Sequence, residues 1–144
     1  MIAGSSGSDT PTRARIRELV PGYTRAMLKR KAESLGYALR GLRIGLTEEP
    51  NFQIQLVCAA IAVILGLYFD ISIGEWLFII VACGLVLTAE LLNTALEELC
   101  DMLKSTHDPH VAKIKDLAAG AVLVASFIAL LTGLIIFVPR IFAL

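Results

Sequence analysis

Glu90-Leu91-Leu92-Asn93-Thr94-Ala95-Leu96-Glu97-Glu98-Leu99-Cys100-Asp101 follows without a break on Trp76 to Ala89, a run with no charged residue. At about 100° per residue, Glu90, Asn93, Thr94, Glu97 and Asp101 fall within about 100° of arc on one helix. A carboxylate costs several kcal/mol to desolvate unless it is paired, protonated or bound to a metal. An acidic stripe that begins inside an apolar phase therefore marks a site rather than a solvated helix end.

The composition around that stripe is that of a membrane protein. The chain has 144 residues, 56% of them hydrophobic and only 18% charged, with a mean hydropathy of +0.73. A soluble domain of this size would expose large apolar patches under that load. Three cysteines make no disulfide framework, and Cys58 and Cys83 lie in apolar runs where small hydrophobes belong. The first apolar run starts only after residue 50, so no cleavable signal peptide is expected.

Outward from the stripe the chain reads as all-α. Residues 1–24, rich in Gly, Ser, Thr, Pro and Arg, read as a flexible tail, with Pro11 and Pro21 set against a long helix. From Arg25 to Leu46, leucines and Ala32 recur at spacings of three and four between Lys29, Arg30, Lys31, Arg40 and Arg43. That pattern predicts an amphipathic surface helix over 25–46, lying in the membrane interface. Gly36, Gly41 and Gly45 weaken it and open it to close packing. Pro50 then suits the first turn of a new helix, with Glu48 and Glu49 beside its positive end. Transmembrane helices are predicted near 51–70, 74–104 and 111–139, so that residues 25–144 form one membrane domain.

Basic residues set the expected topology. Nine of the thirteen Lys and Arg residues precede Ile44, and the 70–75 turn carries only acids. Lys104, Lys113 and Lys115 follow the second span. The N-terminus is then cytoplasmic and the C-terminus outside. In the second span Glu90 lies about 21 Å from Trp76, in a core about 30 Å thick, so it sits in the inner leaflet. Glu97 lies about 10 Å further on, at the cytoplasmic interface, level with Glu49 and with Lys115-Asp116.

Paired carboxylates at a membrane face suit a hard cation such as Mg²⁺, which takes oxygen ligands and keeps substrate phosphates in its shell. A deeper carboxylate suits a general base that reaches a lipid alcohol. The layout points to metal-assisted group transfer to a lipid without naming the group. Neither the P-loop nor the G-x-G-x-x-G motif is present.

Several blocks together resemble the small prokaryotic diacylglycerol kinase and undecaprenol kinase family. They are Tyr37-Ala38-Leu39-Arg40-Gly41-Leu42-Arg43, Glu49-Pro50-Asn51-Phe52, Gly74-Glu75-Trp76, the acidic stripe from Ala89, and Lys115-Asp116-Leu117-Ala118-Ala119-Gly120-Ala121-Val122-Leu123. The resemblance spans roughly residues 27–142. It implies an ATP- and Mg²⁺-dependent lipid kinase of the bacterial inner membrane, a homotrimer whose active sites are shared between subunits. Carried over by position, it implies Glu90 as catalytic base and Glu49 and Glu97 as metal ligands. It implies Arg30, Tyr37, Lys115 and Asp116, together with Glu49 and Glu97, as nucleotide-binding residues, and Asn93 and Asp101 in supporting roles. The expected partner is a lipid alcohol, undecaprenol ahead of diacylglycerol, and no nucleic acid. This chain has Asp108 where many relatives have His, and Ala119 where the diacylglycerol type has Ser. The competing reading is a small ion- or proton-coupled transport subunit with Glu90 as its relay.

Overall fold

The structure is a computed structural model that describes the backbone of residues 11–103 and 108–143, and side chains from residue 25 onward. Among the described residues there are four helices: α1 (Pro11–Glu48), α2 (Pro50–Tyr68), α3 (Ile73–Met102) and α4 (Pro109–Ile141). The last three are long and apolar enough to cross a membrane. The chain divides into a unit of residues 1–43 and a unit of residues 44–144.

The first helix differs from expectation. It begins at Pro11 rather than near 25, and Pro21 does not end it. Pro11 stands in the first turn, where its missing N–H is not needed. Pro21 lacks an interior donor, a cost of about 3 kcal/mol that the rest of the helix absorbs. Of the tail expected over 1–24, residues 1–10 lie outside the described residues.

Within the second unit, α3 packs mainly on α4 and less on α2. Ion pairs hold α3 and α4 antiparallel. Lys115 meets Asp101 at one end, at 2.5 Å, and Arg140 meets Glu75 at the other, at 2.9 Å. Glu75 also accepts from the backbone and hydroxyl of Ser72, closing a capping box at the start of α3.

The turn between α2 and α3 is a Schellman motif. Ile71 N–H donates to Gly66 O at 3.2 Å and Asp70 N–H to Leu67 O at 3.4 Å. Asp70 takes the left-handed position, with φ 46°. Ile71 turns inward and joins a core of Ile79, Ile136 and Phe137, with Trp76 packed against it. Large apolar side chains elsewhere face outward. Ile64, Leu123 and Ile135 are 63, 71 and 74% exposed, which acyl chains tolerate and water does not.

Two glycines allow close approaches. A Cβ on Gly66 would come within 2.8 Å of the Trp76 ring, and one on Gly45 within 2.9 Å of Leu91. Gly45, in the last turn of α1, thus lets that end of α1 lie close to Leu91 of α3 and Phe52 of α2, whereas Gly36 and Gly41 have no such neighbour. Because an indole is rigid, Gly66→Ala is expected to destabilise the bundle by about 1–3 kcal/mol. Reversible unfolding in mixed micelles checks this; unchanged stability would mean that the α2–α3 contact is loose.

Candidate active site

The acidic stripe passes from interior to surface along α3. Glu90 is 3% exposed and Asn93 7%, Glu97 is half-buried, and Asp101 is exposed. That gradient is what a helix leaving the apolar phase produces, and it sorts the carboxylates by their access to water.

Glu90 is served from α2. The Asn51 side chain hydrogen-bonds its carboxylate, and Glu49 and Glu97 are near enough to act on it electrostatically. Pro50, in the first turn of α2, sets the register that places Glu49 at the N-cap and Asn51 two residues on. The Glu49 carboxylate does not cap α2 with a side-chain hydrogen bond. Gln53 donates to the Leu46 carbonyl at 3.1 Å and fixes the corner before α2.

Asn93 donates from Nδ2 to Glu97 Oε1 at 2.8 Å. An ionised carboxylate only accepts, so the amide orientation is set by chemistry. The Lys115 ammonium is engaged by Asp101, and Glu97 contributes to its field. Asp108 caps α4 by accepting from His110 N–H at 2.8 Å. That gives the departure at this position a structural use; His107 lies outside the described residues.

The structure therefore gathers Glu49, Glu90 and Glu97 with the amides of Asn51 and Asn93, and sets Lys115 and Asp101 beside them. Asp116 is exposed on the first turns of α4. Arg30 and Tyr37 are exposed on α1, in the unit of residues 1–43, where the Arg40 guanidinium lies 5.6 Å from the Tyr37 ring centroid.

The donor set is oxygen throughout, which fits Mg²⁺. Among the described residues no three His, Cys, Asp or Glu side chains close around a single point. Mg²⁺ commonly binds through one or two carboxylates and completes its shell with phosphates and water, so Glu49 and Glu97, each near enough to act on Glu90, are candidate ligands without a closed protein cage.

Asn51 was missed as a site residue. Its signal was its place two residues after Glu49 in a matched block, but a neutral amide adds nothing to a charge pattern. A hydrogen bond to a charged group is worth about 1.5–3 kcal/mol, so Asn51→Leu is expected to lower kcat about 10- to 100-fold in an assembled protein. Turnover unchanged by that substitution would remove Asn51 from the site.

Residues 36–137 match the family described as prokaryotic diacylglycerol kinase. The chain is 38% identical over 113 residues to the undecaprenol kinase of Bacillus subtilis (strain 168), covering 78% of this chain and 92% of that protein. It is 29% identical over 115 residues to the diacylglycerol kinase of Escherichia coli (strain K12), covering 80% and 90%. With the diacylglycerol kinase of Helicobacter pylori (strain J99 / ATCC 700824) it shares 30% identity over 96 residues, covering 67% and 75%.

Proposed function

The chain belongs to the prokaryotic diacylglycerol kinase family and is a lipid kinase, and we propose that Glu90 is its general base in moving the γ-phosphate of ATP to a membrane lipid alcohol. The observation that carries the residue assignment is the burial of Glu90 at 3% exposure, held by Asn51 and flanked by Glu49 and Glu97. A buried carboxylate reaches a hydroxyl that arrives from the acyl region, and the flanking pair stays nearer the polar end of α3.

Glu49 and Glu97 would hold Mg²⁺ beside the nucleotide phosphates, and bound there it would supply positive charge to them. Asn93 fixes the rotamer of Glu97 through its hydrogen bond. Lys115, positioned by Asp101, supplies positive charge to the phosphates, and Asp116 adds to the nucleotide site. In the transfer, the lipid oxygen bonds to the γ-phosphorus as the bond to the β–γ bridging oxygen breaks. ADP leaves and the hydroxyl proton passes to Glu90. Catalysis is then mainly positioning and charge stabilisation, with base catalysis added.

The reaction sits at the cytoplasmic face of a bacterial inner membrane, with the N-terminus inside and the C-terminus outside. The excess of Lys and Arg before Ile44 supports this orientation. Residues 25–144 form the kinase domain, with the 25–46 part of α1 along the surface. Three copies share their active sites, and the exposed apolar faces of the spans accommodate that packing. A relay for ions or protons is disfavoured, because the buried face of α3 ahead of Glu90, formed by Ile79, Ala82 and Val86, is apolar.

The acceptor is undecaprenol ahead of diacylglycerol, on the strength of the identity to the Bacillus enzyme. With labelled ATP and each lipid in micelles, undecaprenol is expected to show the higher kcat/KM. In the same assay Glu90→Gln is expected to lose about 10²–10⁴-fold in kcat and keep its nucleotide affinity. Weakened nucleotide binding with kcat preserved would instead make Glu90 a nucleotide or metal contact.

A further inference from the structure

Asn93 carries a feature that the proposed chemistry does not use. Its Nδ2 is spent on Glu97, but its Oδ1 is buried with no hydrogen-bond partner among the described residues. A buried acceptor left unmade costs about 1–3 kcal/mol, so a retained one calls for a ligand. The residue as a whole is only 7% exposed.

Its place on α3 narrows what that ligand is. Three residues from Glu90, Asn93 lies about 60° around the helix from it, with Cβ atoms about 5–6 Å apart. It lines a groove of about 440 Å³ between α3 and α4, whose walls include Ala89, Leu92, Leu96, Leu117, Ala118 and Ala121. Asn93 thus stands where the carboxylate stripe meets an apolar groove. An acceptor shielded from water at such a border is matched by a donor delivered on an apolar molecule. A lipid alcohol has one hydroxyl donor and hydrocarbon for the rest.

We propose that Asn93 Oδ1 is the docking acceptor for the hydroxyl of the lipid substrate, which it holds beside Glu90 before transfer. The inference rests on the reading of Glu90 as the base and divides two tasks between neighbours. The hydroxyl has a single proton, which it donates to Asn93 on docking. During transfer that proton passes to Glu90 as the oxygen bonds to phosphorus. Discrimination for an alcohol therefore resides in Asn93, and turnover resides in Glu90.

The test is equilibrium binding to the full-length protein in micelles without nucleotide. The probes are a short-chain diacylglycerol and a short-chain prenol, each paired with its O-methyl ether. Wild type is expected to favour each alcohol over its ether by about tenfold, the scale of one hydrogen bond. Glu90→Gln keeps that preference and Asn93→Ala abolishes it. Equal binding of alcohol and ether by the wild type overturns the proposal whatever the variants do. So does a preference that survives in Asn93→Ala, or one lost in Glu90→Gln, which would make Glu90 the docking acceptor. Turnover separates the two readings. A wild type that phosphorylates lipid without preferring alcohol to ether loses the Asn93 assignment alone, and a Glu90→Gln protein with full kcat loses the base.

Discussion

A carboxylate kept inside an apolar phase is the constraint that the rest of this structure serves. Glu90 is nearly out of contact with solvent, and such a group costs several kcal/mol unless the protein compensates it. The compensation comes from another helix. Asn51 reaches Glu90 because Pro50 starts α2 at the right residue and because Gly45 lets the preceding corner approach Leu91. The same corner sets Glu49 beside α3. One close approach therefore positions both Glu90, the proposed base, and Glu49, a candidate metal ligand.

The α3–α4 pair is held at both ends. Lys115 with Asp101 and Arg140 with Glu75 stand about 25 residues apart along α4, a rise of about 38 Å, so each pair falls near one face of a bilayer. A slip of one helix past the other would break both pairs. The end of the bundle near Arg140 is packed with Ile79, Ile136 and Phe137, and the end near Lys115 carries the polar groups. The apolar packing thus gathers at one end of the α3–α4 pair and the candidate site at the other.

Much of this was readable beforehand, for physical reasons. The spans expected near 51–70, 74–104 and 111–139 emerge as Pro50–Tyr68, Ile73–Met102 and Pro109–Ile141, because uncharged runs between polar turns admit few alternatives. The stripe was legible because its spacing matches the helix period, and the structure buries Glu90 and Asn93 on it. Contacts between distant residues were not legible. Arg140 read as the end of a span and Glu75 as part of a turn, and no local pattern joins residues 65 positions apart. Asn51 was hidden by its neutrality. The start of α1 at Pro11 went against a reading of two prolines as breakers, although one of them stands in a first turn where proline is welcome.

The central claim is that α2 and α3 make one catalytic unit, with Asn51 acting through Glu90. A double-mutant cycle on kcat with Asn51→Leu and Glu90→Gln tests it most directly. If the claim holds, Asn51→Leu costs activity in the wild-type background and costs nothing further once Glu90 is Gln, giving a coupling of about 1–3 kcal/mol. Additive losses, with Asn51→Leu equally damaging in both backgrounds, would contradict it.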